Sequence, residues 1–166
     1  SDEVAYPSFV ESRFMAYDVI ARGARGIFYW GSSYLKSETF RQSIYAVTSE
    51  LAALQPFLVA PDFAGTRLTA LELPSKQTNR VQFACRKAGD DWLIILVNED
   101  EEAHMGVVVD GLDELNGRTM HLLYREEIAT ISNSELVARM LPHDIQVFAT
   151  DRKYETARRD GRDFVE

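Results

Sequence analysis

Arg22-Gly23-Ala24-Arg25-Gly26-Ile27-Phe28-Tyr29-Trp30-Gly31 packs a helix stop, a short apolar run and a terminal pair of aromatics into one stretch. Upstream, Ser8 and Glu11 stand at capping-box spacing behind Pro7. Val10, Phe14, Tyr17 and Ala21 then recur at helical intervals, which predicts an amphipathic helix over 8–22 that Gly23 ends. Downstream, Phe40, Ile44, Val47, Leu51 and Leu54 repeat that spacing behind Ser37 as N-cap, and Pro56 closes a second helix over 38–55. The run between them has no period-2 alternation, so a strand at 26–30 is expected to be covered on both faces, the habit of parallel sheets in α/β folds. One strand makes no sheet. A parallel barrel needs eight strand-helix units in about 250 residues, and only residues 1–58 of the 166 have this character.

After Pro61 the pattern changes. Short runs of β composition at 67–73, 81–86, 92–97, 106–109, 118–124, 127–131, 135–140 and 144–149 are separated by turn residues, the signature of an antiparallel sandwich or barrel. The clearest unit is a hairpin. Val81, Phe83 and Cys85 alternate with polar Gln82 and Arg86, Gly89-Asp90-Asp91 turns the chain, and Trp92-Leu93-Ile94-Ile95-Leu96-Val97 returns as a central strand. Asn116-Gly117 is a second strong turn signal. The expected organisation is therefore α+β: helix-strand-helix over 1–58, an all-β antiparallel sandwich over 59–150, and a charged, solvated C-terminal tail over 151–166.

Composition excludes several function classes. With 46% hydrophobic and 27% charged residues and a mean hydropathy of -0.21, the chain has the make-up of a globular protein with its own core. No stretch approaches the roughly 18 consecutive apolar residues of a membrane helix. Ser1-Asp2-Glu3 carries no signal-peptide pattern, so targeting information is expected upstream. Asp and Glu outnumber Lys and Arg by 26 to 18, for a formal charge of -8, which argues against a nucleic-acid partner and for neutral or weakly charged ligands.

Site motifs are few. Cys85 is the single cysteine, which excludes an intrachain disulfide and a cysteine-rich zinc site, and its place in an apolar-facing strand position suits an inert buried thiol. His104, His121 and His143 have no metal-ligand spacing, Gly31-Ser32-Ser33 is not a nucleophile elbow, and Glu99-Asp100-Glu101-Glu102 lacks the pattern of a calcium loop and reads as a solvated hairpin loop. Trp92 opens a strongly apolar strand and is expected in the core. No catalytic pair, cofactor motif or metal site emerges.

The run from Phe14 to Gly31, FMAYDVIARGARGIFYWG, resembles the end of the catalytic barrel in glycoside hydrolases of the large retaining (β/α)8 clan, whose members often carry a "MAYxAIAxGARGIxYW" helix before their eighth strand. Residues 49–58 resemble the last barrel helix of those enzymes, and residues 141–148 the final strand of their small C-terminal β-sandwich. The resemblance implies a chain that holds the seventh helix, eighth strand and eighth helix of a barrel and then an accessory β domain. Retaining glycosidases need two carboxyl groups about 5 to 5.5 Å apart. In this clan these follow the fourth and seventh strands, so the parent protein would cleave O-glycosidic bonds while this chain alone would be inactive. Asp2 and Glu3 read as loop residues near a helix start.

Trp30 is then the first candidate for contact with the saccharide substrate. The family places an aromatic at this strand end as a platform under the sugar ring, a task an indole suits because it covers an apolar pyranose face while its N–H still donates. A buried core role is the alternative reading of Trp30. Ser32, Ser33 and Tyr34, in the loop that follows, are candidates to line the same cleft. A non-catalytic carbohydrate-binding or interaction module is the second functional reading, and it requires exposed aromatics in a row on a sheet face. Unpaired strand edges and uncovered helix stripes further predict self-association through residues 8–58, or docking of that segment onto the sandwich.

Overall fold

The computed structural model describes residues 5–31, 34–72 and 80–156. Ser8 caps α1 (Phe9–Ala21). Its hydroxyl accepts the Glu11 N–H at 3.2 Å while the Glu11 carboxylate accepts the Ser8 N–H at 2.8 Å, the reciprocal pair that satisfies two orphan donors at a helix start. Gly23, at φ 104, ends the helix. It lets the Gly23 and Ala24 N–H groups donate back to Ile20 and Val19, an arrangement whose left-handed position favours glycine. Ser37 caps α2 (Glu38–Ala53) by accepting the Phe40 N–H at 3.1 Å, and Pro56 sits in the first turn of the short α3 (Gln55–Leu58).

Among the described residues eight strands follow: β1 (Arg67–Glu72), β2 (Val81–Ala88), β3 (Asp91–Asn98), β4 (Met105–Asp110), β5 (Thr119–Leu122), β6 (Ile128–Thr130), β7 (Leu136–Met140) and β8 (Ile145–Ala149). They form two antiparallel sheets, one in the order β1-β4-β7 and one in the order β2-β3-β8-β5-β6. The fold is thus α+β with few helices. The hairpin forms in the expected register, with Val81 opposite Asn98 and Ala88 opposite Asp91, and β3 is flanked by β2 and β8.

The long apolar run of β3 serves two cores. Trp92, Ile94 and Leu96 face the cluster shared with Val107, Val109, Leu136 and Met140 of the three-stranded sheet. Leu93, Ile95 and Val97 face a second cluster with Tyr17, Ile20, Val47, Leu51 and Phe57 of the helices. Side chains alternate across a strand, so a strand walled on both sides must be apolar at every position. Trp92 is 1% exposed and lies in the core as expected. Cys85 is buried too, and burial pushes its thiol up to about 12, which keeps it in the inert protonated form.

Several local expectations change in the structure. Residues 26–30 form no strand. No neighbouring strand among the described residues meets them, and a strand takes its hydrogen bonds from a partner. The apolar stripes of α1 and α2 cover the five-stranded sheet. Arg86, assigned by alternation to a polar face, is 2% exposed because its neighbours on that face are helix ends. Its Nε donates to Asp62 at 2.9 Å, one Nη to the Leu58 carbonyl at 3.2 Å and the other to the Ile20 carbonyl at 3.4 Å. It therefore places a cation at the C-terminal ends of α1 and α3, where helix carbonyls concentrate negative charge.

The start of the charged tail is docked rather than solvated. Tyr154 Oη donates to Asp91 at 2.7 Å, Arg152 donates to the Arg125 carbonyl at 2.8 Å, and Glu155 accepts the Tyr124 N–H at 2.8 Å. Residues 157–166 lie outside the described residues.

Candidate functional site

Gly31, at φ 77, reverses the chain after the apolar run, and the Tyr34 N–H closes the turn on the Gly31 carbonyl at 3.0 Å. An L side chain is strained at this φ, so glycine fixes where the aromatics on either side emerge. Upstream of the turn the chain alternates: Ile27 packs against the helix-side cluster and Tyr29 is half-buried, while Phe28 is 81% and Trp30 89% exposed. Burial pushes the Tyr29 hydroxyl above its ordinary range. The Phe28 and Trp30 rings lie 6.1 Å apart at 43°, and Tyr34 is 85% exposed just beyond the turn.

Phe28, Trp30 and Tyr34 are thus all exposed, the first two with neighbouring rings. Ser32 and Ser33 lie outside the described residues. Trp30 is not a core residue. Phe28 joins the candidate surface although the sequence reading placed it in a covered strand. An all-apolar run conceals which alternate residues face outward, and only the covering partners decide it.

Several described carboxylates are tied into the packing of the fold. Glu50, 1% exposed, accepts from Arg13 Nε at 2.8 Å and from Tyr17 Oη at 3.0 Å between α1 and α2. Asp144 pairs with Arg125 at 2.6 Å and accepts from Gln146 at 3.0 Å. Asp100 is buried rather than solvated, in contrast to the loop expected at 99–102. Its Oδ1 accepts the Glu102 and Ala103 N–H groups at 2.9 and 2.8 Å, and these bonds hold its carboxyl below the usual range. Glu99 in the same loop pairs with Arg22. Lys153, Tyr154 and Thr150 lower Asp91 in the same way, and Ser8 lowers Glu11. A general acid in glycoside hydrolysis needs a raised carboxyl. Among the described residues, the carboxyls of Glu11, Asp91 and Asp100 lie below their ordinary range.

His143 stacks on Phe14 at 3.6 Å and joins α1 to the β7–β8 turn. His121 sits on β5, and His104 lines a hollow of about 130 Å³ beside Gly106, Arg139 and Leu141, below the roughly 300 Å³ at which ligand pockets begin. Among the described residues no group of three or more His, Cys, Asp or Glu side chains is placed to hold a metal ion, and no helix is long and apolar enough to cross a membrane.

A scan against protein-family models and a search of curated proteins give no match. Among solved structures, the chain is similar to AmyP in complex with maltotriose, at 15% identity over 70% of this chain and a TM-score of 0.44. It is also similar to AmyP in complex with maltose, at 17% identity over 69% of this chain and a TM-score of 0.43. In both cases the chain spans 22% of the length of the structure it matches, a distant and partial likeness.

Proposed function

We propose that this chain is the C-terminal part of a glycoside hydrolase whose catalytic carboxylates lie outside it. In this reading residues 1–58 belong to the last units of a (β/α)8 barrel, and residues 59–150 form a β-sandwich domain that covers its last helices. Trp30 serves as a platform for the saccharide, with Ser32, Ser33 and Tyr34 along the same rim. The observation that carries the reading is the 89% exposure of Trp30, beside Phe28, in a segment that resembles the eighth-strand end of these enzymes. An accessible indole is what a pyranose face requires. Because α1 and α2 share a core with the five-stranded sheet and residues 26–30 form no strand, support for the barrel end comes from the sequence resemblance.

The alternative, a carbohydrate-binding module that uses a sheet face, requires exposed aromatics in a row on that face. The strongly exposed aromatics among the described residues are Phe28, Trp30, Tyr34 and Tyr45, all before residue 58, and none lies on a strand.

The test is a titration of the chain with a panel of neutral oligosaccharides, read by intrinsic fluorescence and calorimetry, beside a turnover assay on aryl glycosides. Binding is expected without turnover, and Trp30→Ala should weaken it at least tenfold, a loss of about 1.4 kcal/mol. Hydrolysis by the chain alone would overturn the assignment of the carboxylates. Binding unchanged in Trp30→Ala would overturn the platform.

A further inference from the structure

We infer that Asn116 is a site of spontaneous covalent modification, where conversion of its amide to aspartate and isoaspartate is gated by a clasp between two turns. Asparagine is a thermolabile side chain, and the Gly117 that follows it has no Cβ to shield its backbone nitrogen. In the reaction the Gly117 nitrogen gives up its proton to solvent base and bonds to Asn116 Cγ, and the side-chain nitrogen departs as ammonia. Water then adds to either carbonyl of the five-membered ring. Breaking one C–N bond yields aspartate, and breaking the other yields isoaspartate, whose backbone runs through the side-chain methylene.

The folded chain holds the reacting groups apart. Asn116, at φ -55 and ψ 127, and Gly117, at φ 80, are the central residues of a type II turn that the Arg118 N–H closes on the Leu115 carbonyl at 2.8 Å. At that ψ the Gly117 nitrogen is rotated far from Asn116 Cβ, whereas ring closure needs the two eclipsed. The nucleophile is also occupied, since the Gly117 N–H donates to the Ile131 carbonyl at 2.8 Å. The side chain is turned to a third partner, with Asn116 Oδ1 accepting the Ser134 N–H at 3.0 Å. Ser134 stands at the tip of a tight hairpin. Ser132 and Glu135 exchange N–H bonds at 3.2 and 3.0 Å there, and Asn133 and Ser134 take the positive φ values, 51 and 61, that a type I′ turn requires.

The clasp rests on a buried base. Leu112 and Leu115 are 0% and Ile131 1% exposed in the core shared by both sheets. The Leu112 N–H donates to the Ser134 carbonyl and the Ile131 N–H to the Arg118 carbonyl, both at 2.9 Å. Asn116 and Gly117 themselves are exposed. Solvent base and water therefore reach the pair, while the turn reorients only when the bonds between 112–118 and 131–134 part in a local opening. Aspartate keeps an oxygen for the Ser134 N–H and adds one negative charge to a chain of formal charge -8, two residues after Asp113 and Glu114 begin an acidic stretch. Isoaspartate lengthens the backbone between Leu115 and Gly117, which displaces either the turn bond or the Gly117–Ile131 bond.

Every group involved lies between residues 112 and 135, so this site and the saccharide platform fail independently. The full chain is incubated at mildly alkaline pH, folded or unfolded in guanidinium chloride, and Asn116 is followed by peptide mapping with mass spectrometry and an isoaspartyl methyltransferase assay. In the unfolded chain Asn116 should convert faster than Asn79, Asn98 and Asn133, the other asparagines. In the folded chain its rate should fall by about tenfold or more, the closed-to-open ratio of the clasp. Hydrogen exchange at the Gly117 amide should report the same ratio. Ile131→Ala should raise the folded rate toward the unfolded one and leave the unfolded rate unchanged. Equal rates in the folded and unfolded chains would overturn the gate, and faster conversion of another asparagine in the unfolded chain would overturn the site. If Ile131→Ala does not fold, the unaltered chain decides, because a Gly117 amide that exchanges as fast as in the unfolded chain would overturn the clasp.

Discussion

Replacing Arg86 with Met tests what fastens the helices to the sheet. The methionine keeps most of the buried stem but removes every donor, and the partners lose unequal amounts. The Leu58 carbonyl, on a residue 5% exposed, loses a charge-assisted bond of 3.2 Å, worth about 1.5–3 kcal/mol. The Ile20 carbonyl loses a long 3.4 Å contact but still accepts the Gly23 N–H at 3.0 Å, so it contributes little. Asp62 is 62% exposed and returns to water, leaving about 0–1 kcal/mol for the ion pair. Replacing a buried ion pair by apolar side chains is often neutral, but here the orphaned acceptor is a backbone carbonyl that no apolar residue can satisfy. The expected loss is about 2–3 kcal/mol. That corresponds to a melting temperature lower by about 4–12 °C for a domain of this size. Urea and thermal unfolding, followed by tryptophan emission and circular dichroism, read it. A loss below about 0.5 kcal/mol, or an Asp62→Ala variant as unstable as Arg86→Met, would refute the reasoning, because the first outcome removes the role of the carbonyl and the second transfers it to the exposed carboxylate.

Gly111 has φ +84, and a Cβ there would lie 2.3 Å from the Gly65 carbonyl oxygen, whereas Gly117, at φ +80, has open space. Gly111→Ala should therefore lose on the order of 3 kcal/mol or more, and Gly117→Ala about 1–2 kcal/mol from backbone strain alone. Similar denaturation midpoints for the two variants would contradict the close approach of these loops. Acid should destabilise the fold through Asp91 and Asp100, whose carboxyls are lowered in the folded state by Lys153 and Tyr154 and by the Glu102 and Ala103 N–H groups. A lowered folded-state pKa gives stability that is fully present above the unfolded carboxyl range, near pH 4, and is lost as pH falls through the folded value. Urea midpoints should stay level from about pH 7 to about pH 5 and fall toward about pH 3. A variant carrying Asp91→Asn and Asp100→Asn should show a shallower fall, and an unchanged slope would rule these two groups out.

What the sequence discloses here depends on the range of the interactions involved. Ser8 with Glu11, Ser37 and Gly23 set helix ends through contacts within a few residues, so the helices are readable from spacing. The β2–β3 hairpin is readable for the same reason, since its turn residues and alternation are adjacent in the chain. Residues 26–30 are not, because whether an apolar run becomes a strand depends on residues far away. Arg86 shows the same limit in reverse. Alternation placed it correctly on the face opposite Cys85, but only the docked helices turn that face from water into a row of carbonyls. At the site, Trp30 is nominated by its place in the stretch that resembles a strand end and Tyr34 by the loop after it; the structure shows both exposed together with Phe28, whose equally apolar neighbours conceal which residues face outward.

The two-sided burial of β3 and β8 governs how the molecule comes apart. Composition changes abruptly near residue 58, and that change looks like a seam between separable pieces. Yet peeling away α1 and α2 would wet Leu93, Ile95, Val97, Ile145 and Val147, the reverse side of strands whose front closes the other core. Neither layer has a wall of its own. A proteolytic nick within 59–66 should therefore leave both pieces bound in one particle with a single unfolding transition, and a polypeptide begun at residue 62 should be insoluble.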